Sequence, residues 1–435
     1  MRKCIMLLFL VACNDRRVAI VEPAPQMATH HYFDETLIKK ADILFVIDDS
    51  SSMTTVQQNL ITNFPVFINV LRSLPTGLPD LRVAVTTTSL GAGAFTGSVP
   101  GCGNNQNGAF ITVGRADPTC SLGGQRWMDS TTIDKFACIA QVGADGCGFE
   151  HQLAGARAGI ENNPDFVRQD AYLAVIWITN EDDCSAPPDS QLFDPSQNAI
   201  TDPLGPLASF RCTEFGILCN GQKPPRQAAG PLVNCTSNEN GPLTSVQSFI
   251  DFFRKAKTTG HFLPAIVAAP PDPFSVILDP QTGFPELAHS CTTPSNGTFG
   301  DPAVRMKQFS DAFGQYAVFT SICQDSYAGA MQVIADKLKI ALGNHCLSQR
   351  ADTCDVEEVQ YMSTPQQKPL GVVPACNAAG QASGTCYALI DDAGCMGSGQ
   401  RIDVCRNGYN PASGCAAGSI MAPDSTTLVV ECVAH

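Results

Sequence analysis

Beyond a short segment at its start, no stretch of this 435-residue chain is long and apolar enough to read as a membrane span. Cys-x-x-Cys pairs are absent, so the usual spacing of zinc ligands is missing. So are the Gly-x-Ser-x-Gly elbow of serine hydrolases, the His-Glu-x-x-His of metalloproteases and the Gly-x-x-x-x-Gly-Lys phosphate loop. The seven His are dispersed apart from His30 and His31. Basic residues are in the minority: 27 Lys and Arg against 41 Asp and Glu give a net charge of −14. With neither a positive balance nor a basic stripe, the chain is not read as nucleic-acid-binding. Its acidity favours solubility and cation attraction and says little about fold. Together these gaps argue against an enzyme.

Cysteine, by contrast, is plentiful. Twenty Cys would be unusual in a reduced cytosolic protein. The first residues agree with export: Arg2 and Lys3 form a basic region, and a short apolar run follows. The run closes on Leu10-Val11-Ala12-Cys13, which resembles a bacterial lipobox. That implies removal of residues 1–12 as a signal peptide and lipidation of Cys13, hence a membrane anchor. Residues 13–40, with Pro23 and Pro25, then read as a tether. Setting aside Cys4 and Cys13 leaves 18 Cys, ten from Cys102 to Cys323 and eight from Cys346 to Cys432. An even split is what two separately stapled domains require.

Between residues 41 and 344, buried strands alternate with amphipathic helices, the signature of an α/β fold with a parallel sheet. The run Ile43 to Ile47 reads as a strand buried on both faces. After it, Val56, Leu60, Phe64, Phe67, Leu71 and Leu74 recur at helical spacing, with Pro65 an expected kink. Further strands are expected at 81–86, 172–179, 261–269 and 316–321. Helix stripes run through Phe149, Leu153, Ala156 and Ile160, and through Tyr327, Met331, Ile334, Leu338 and Leu342. Three Cys-bearing insertions, about 90–147, 184–244 and 270–300, are long for a compact α/β unit. They read as an ordered crown over the face bearing Asp48, with simple decoration as the alternative. Residues 345–435 lose the helical periodicity and show short β-like runs between closely spaced Cys. This is the pattern of a small disulfide-stapled β domain.

The run Asp48-Asp49-Ser50-Ser51-Ser52 sits where the first strand ends and a helix begins, the edge at which open α/β sheets bind ligands. Asp48, Ser50 and Ser52 offer hard oxygens, the type selected by Mg²⁺, Mn²⁺ or Ca²⁺. This Asp-x-Ser-x-Ser spacing, followed by Met53, resembles the metal-ion-dependent adhesion site of von Willebrand factor type A domains. The resemblance covers residues about 40–343. It implies a doubly wound, mainly parallel, Rossmann-like sheet with helices on both faces. It also implies Mg²⁺ (or Mn²⁺ or Ca²⁺) held by the Asp and two Ser, a Thr from a second loop and an Asp after the central strand. An open coordination position would take an acidic side chain from a protein partner.

Two positions depart from that pattern. Asn180 stands where the central-strand Asp is expected, and Asp182, with Glu181 and Asp183, either restores the lost charge or forms a solvated turn. Ala144 stands at the Thr position, where Asp145 or Glu150 is the substitute oxygen unless Glu150 only favours a helix start. The metal set is therefore read as Asp48, Ser50, Ser52, Asn180 and Asp182. The whole layout also resembles bacterial surface lipoproteins carrying such a domain. With the metal-site reading, the leading expectation is a lipid-anchored, non-enzymatic adhesion or protein-binding protein of the cell envelope, at the outer membrane or surface ahead of the inner membrane. One rival is a degenerate metal site whose disulfide-stapled loops bind the partner. The other is a metal-dependent hydrolase, but the Asp-x-Asp phosphatases need a carboxylate where Ser50 stands.

Overall fold

The run Tyr172–Ile178 is apolar along its length, and all seven residues are buried in the middle of a sheet. The computed structural model describes residues 28–34, 40–74, 77–169, 171–257, 261–342, 345–362, 366–392, 395, 398–415, 422–423 and 426–434. The signal segment and the lipobox Cys13 lie outside the described residues. In chain order the elements used below are β1 (Ala28–Asp34), β2 (Lys40–Ile47), α1 (Thr54–Arg72), β3 (Asp80–Thr87), α2 (Gln152–Glu161), β4 (Tyr172–Ile178) and α3 (Val246–Ala256). They continue with β5 (Phe262–Ala268), α4 (Val304–Asp311), β6 (Val318–Ser321), α5 (Ala328–Ala341), β7 (Ala351–Gln360), β8 (Lys368–Val372) and β9 (Thr426–Ala434).

Five strands form one all-parallel sheet in the order β6-β5-β4-β2-β3. Side chains alternate across a strand, and β2 divides accordingly. Ile43, Phe45 and Ile47 join a core with α1 and α5, while Leu44 and Val46 join a second core with α2, α3 and α4. Both faces of the sheet are thus covered by helices. Trp177 is fully buried in the second core, its indole Nε1 donating to the Gln152 carbonyl at 2.9 Å. Truncating a buried aromatic side chain of this kind to Ala costs roughly 3–5 kcal/mol. Pro65 lies inside α1, which continues past it to Arg72. The sequence reading omits α3 and α4. For α3 the signal was present: Val246, Phe249, Ile250 and Phe253 form its buried stripe, and the Ser245 hydroxyl accepts from the Ser248 N–H at its start.

The strand order places the switch point of the sheet between β2 and β4. From β2 the chain moves to β3 on one side, then returns to β4 on the other. The loops after β2 and β4 therefore flank one crevice at the carboxyl edge, the ligand-binding position of such sheets.

Four further strands make a separate antiparallel sheet in the order β1-β9-β7-β8. Here the sequence reading is corrected. Residues 28–34, read as part of the tether, pair along their whole length with β9. The physical reason is Phe33, which is buried in a small core with Val356, Leu428 and Val430. A single apolar residue leaves no periodicity to read. Nine disulfides join the described residues, and each lies within one of the two Cys groups. Cys102–Cys147, Cys120–Cys138, Cys184–Cys212, Cys219–Cys235 and Cys291–Cys323 staple the insertions. Cys346–Cys395, Cys354–Cys432, Cys376–Cys386 and Cys405–Cys415 staple the terminal region. The first two insertions also share a core, in which Ala92 and Val99 pack with Leu192 and Phe193. Among the described residues no helix is long and apolar enough to cross a membrane.

Candidate functional site

Because β2 and β4 are hydrogen-bonded neighbours, their ends deliver Asp48 and Thr179 side by side, and the Asp48 N–H donates to the Ile178 carbonyl at 3.0 Å. Asp48 is fully buried. One carboxylate oxygen accepts from the Ser50 N–H and the other from the Thr179 hydroxyl, each at 2.8 Å. Thr179 is itself held by the Gln152 amide at 3.0 Å. The Ser50 and Ser52 hydroxyl oxygens lie 3.3 Å apart, and Ser52 donates to the Asn180 side-chain oxygen at 3.1 Å. Four of the expected residues, Asp48, Ser50, Ser52 and Asn180, therefore converge. Thr179, absent from the expected set, is the residue that fixes the carboxylate.

Asp182 does not join them, which corrects the sequence reading. Its carboxylate accepts from the Arg305 and Met306 N–H groups at 2.9 and 3.1 Å, so it caps the start of α4. These are orphan donors of a helix amino terminus, where a negative charge is stabilised. Asp183 is also structural. It is buried and paired with the buried Arg305 at 3.0 Å, and it accepts from the Leu153 N–H at 2.9 Å. Asp49, adjacent to the cluster, accepts from the Ser89 hydroxyl at 2.7 Å and pairs with Arg115 at 3.4 Å. A Cβ built on Gly146 would lie 2.4 Å from the Asp49 carboxylate, so that close approach requires glycine.

Of the two candidates to replace the missing Thr, Asp145 is exposed and sits near Arg115, at 3.7 Å. With Ala144 it lines an open groove of about 850 Å³. Glu150 is the one that points inward: it is 2 % exposed, and its Oε1 has no hydrogen-bond partner among the described residues.

The electrostatics of this edge are lopsided. Burial pushes Asp48 up to about 6, against the pull of the Ser50 and Thr179 donors. Burial, then the like charges of Glu181 and Asp48, hold Glu150 well above the usual carboxylate range. Burial, then Asp301 and Asp48, push Glu181 up to about 8. In each case burial is the largest cause and disfavours the ionised form. Among the described residues no three His, Cys, Asp or Glu converge closely enough to hold a metal by themselves. The convergent oxygens instead come from one carboxylate, two hydroxyls and an amide. That hard, weakly charged donor set suits a small divalent cation that keeps several waters.

Compared with family models and with curated proteins, the sequence finds no match. Solved structures do resemble it. Proximal thread matrix protein 1 from the mussel byssus is 13% identical, with a TM-score of 0.31 over 72% of this chain and 48% of that one. A von Willebrand factor type A structure from Catenulispora acidiphila is 11% identical, with a TM-score of 0.30 over 94% and 66%. The pilus adhesin SpaC from Lactobacillus rhamnosus GG is 10% identical, with a TM-score of 0.33 over 95% and 40%. The chain spans about half the length of the first of these, 48%. At such identities and scores the functional reading rests on the geometry of the site.

Proposed function

We propose that the carboxyl edge of the parallel sheet binds a divalent cation, Mg²⁺ or in its place Mn²⁺ or Ca²⁺, and through it a protein partner. The observation that carries this reading is the convergence of Asp48, Ser50, Ser52 and Asn180 from two adjacent strand ends, around a buried carboxylate with no cation of its own. When bound, the cation supplies a positive centre with exchangeable positions, one of which takes an acidic side chain of the partner. The chain's own residues do the rest. Ser50 and Thr179 fix the Asp48 carboxylate, and Ser50, Ser52 and Asn180 present oxygens at set positions. The disulfide-stapled insertions surround the edge and set specificity, as loops do on a rigid scaffold. With a lipid on Cys13, the protein acts as an adhesion or scaffolding protein of the cell envelope.

The test is partner capture in Mg²⁺ and in EDTA, by wild type and by Asp48→Ala. Capture is expected to fall in EDTA and in the variant, with the fold intact by circular dichroism. Binding unchanged by both overturns the reading. A second reading follows from Asn180 and from the lack, among the described residues, of three convergent His, Cys, Asp or Glu. Under it the metal site is degenerate, the insertions alone bind the partner, and EDTA has no effect.

A further inference from the structure

Beside the hydroxyl cluster lies a cavity of about 260 Å³ that the cation reading does not use. Glu150 and Glu181 line it, with Ser209 and Phe210 from the second insertion, Phe299 from the end of the third and Asp301 just beyond it. Of its other acidic residues, Glu286 is exposed to solvent. Asp182 and Asp183 are committed to α4, and Asp301 lies 2.7 Å from the His289 ring nitrogen. Glu150 and Glu181 have no ion pair among the described residues. Glu150 is buried, lines the cavity and leaves its Oε1 without a partner. A buried carboxylate beside a partly buried one, with no cation, is expensive, and a positive group supplied from outside would relieve it.

The shape narrows what that group is. The cavity has room for a long side chain, and the rings of Phe210 and Phe299 can pack against an aliphatic stem while its charged head reaches the carboxylates. A bare metal ion is the poorer occupant, since no three ligating side chains converge there.

We propose that this cavity receives a basic side chain, lysine or arginine, from the protein partner, with Glu150 and Glu181 as its counter-charges. This rests on the reading that the carboxyl edge of the sheet engages a protein, and it adds that the partner carries a basic group beside its acidic one. The experiment uses the full chain with three probes: Nα-acetyl-lysinamide, Nα-acetyl-argininamide and the uncharged Nα-acetyl-norleucinamide. Binding is followed by ligand-observed NMR for wild type, Glu150→Gln, Glu181→Gln and Asp48→Ala, alongside an Mg²⁺ titration of each.

At least one basic probe is expected to bind and the norleucine probe not to, and the stronger basic probe names the side chain. Each Gln substitution should weaken that binding about tenfold or more, whereas Asp48→Ala leaves it nearly unchanged. The Mg²⁺ response should behave in the opposite way, lost in Asp48→Ala and kept in Glu181→Gln. A probe that binds while wild type ignores Mg²⁺ supports the cavity and overturns only the cation reading. The proposal is overturned if neither basic probe binds, or if binding survives both Gln substitutions. Should Glu150→Gln fail to fold, Glu181→Gln carries the test, because its side chain is only partly buried.

Discussion

Strand β2 has a fully buried aspartate at each end, and the fold treats the two in opposite ways. Asp42, near its start, accepts from the Arg168 backbone N–H at 2.6 Å and pairs with the Arg168 guanidinium at 2.8 Å. That guanidinium also reaches Asp80 on β3 at 2.7 Å, tying two neighbouring strands together. Asp48, just past the other end, receives hydroxyl and amide donors and no cation. The run after β4 repeats the contrast within three residues: Asp183 has Arg305, Asp182 has a helix terminus, and Glu181 has neither. A buried charge balanced within the chain is architecture. One left unbalanced marks a site that awaits a ligand.

The contrast can be broken most severely at Arg305. Removing it with Arg305→Met strands Asp183 in the core, and denaturant unfolding should show a loss of about 3–5 kcal/mol. A loss below about 1 kcal/mol would mean that the pair is not structural. The next largest effect compares the two ends of β2 directly. Arg168→Met leaves Asp42 uncompensated and should cost about 3 kcal/mol. Asp48→Asn, measured without divalent cations at pH 7, removes an uncompensated charge and should cost nothing or add about 1 kcal/mol. Equal destabilisation by the two substitutions would erase the distinction between the ends.

A smaller effect is the pH dependence. Asp48 is raised to about 6 and Glu181 to about 8, so the folded chain holds protons that the unfolded chain has released. Their stabilising contribution is complete below the ordinary carboxylate range and is lost as pH rises through 6 and then 8. In metal-free buffer the urea midpoint should therefore fall from pH 5 to pH 8, with a shallower fall for Asp48→Asn. Identical slopes for the two proteins would show that Asp48 is not the group responsible.

Much of this was legible in the sequence because burial on both faces writes itself as uninterrupted apolar runs. β2, β4 and β5 follow directly from Ile43 to Ile47, Tyr172 to Ile178 and Phe262 to Ala268. The hydroxyl cluster was legible too, since Asp48, Ser50, Ser52 and Asn180 each sit at a strand end whose neighbour was readable. Asp182 was misassigned because its partner, the start of α4, lies 123 positions further on. Its role depends on a helix that eight residues of weak pattern did not announce. β1 was read as tether because only Phe33 among its described side chains is buried. Glu150 was readable as a helix-start residue. Its burial beside Asp48 arises from the packing of the first insertion, which no local pattern reports.

The central claim is that the charge left unbalanced at the carboxyl edge of β2 is completed by a divalent cation. A thermal-unfolding series with increasing Mg²⁺, Mn²⁺ or Ca²⁺, for wild type and Asp48→Ala, tests it most directly. A ligand that binds only the folded chain raises its melting temperature in proportion to the logarithm of its concentration once the site is saturated. Wild type should show that rise with at least one of the three ions, and Asp48→Ala should show none. A wild-type curve that ignores all three, or a rise of equal size in Asp48→Ala, would contradict the account.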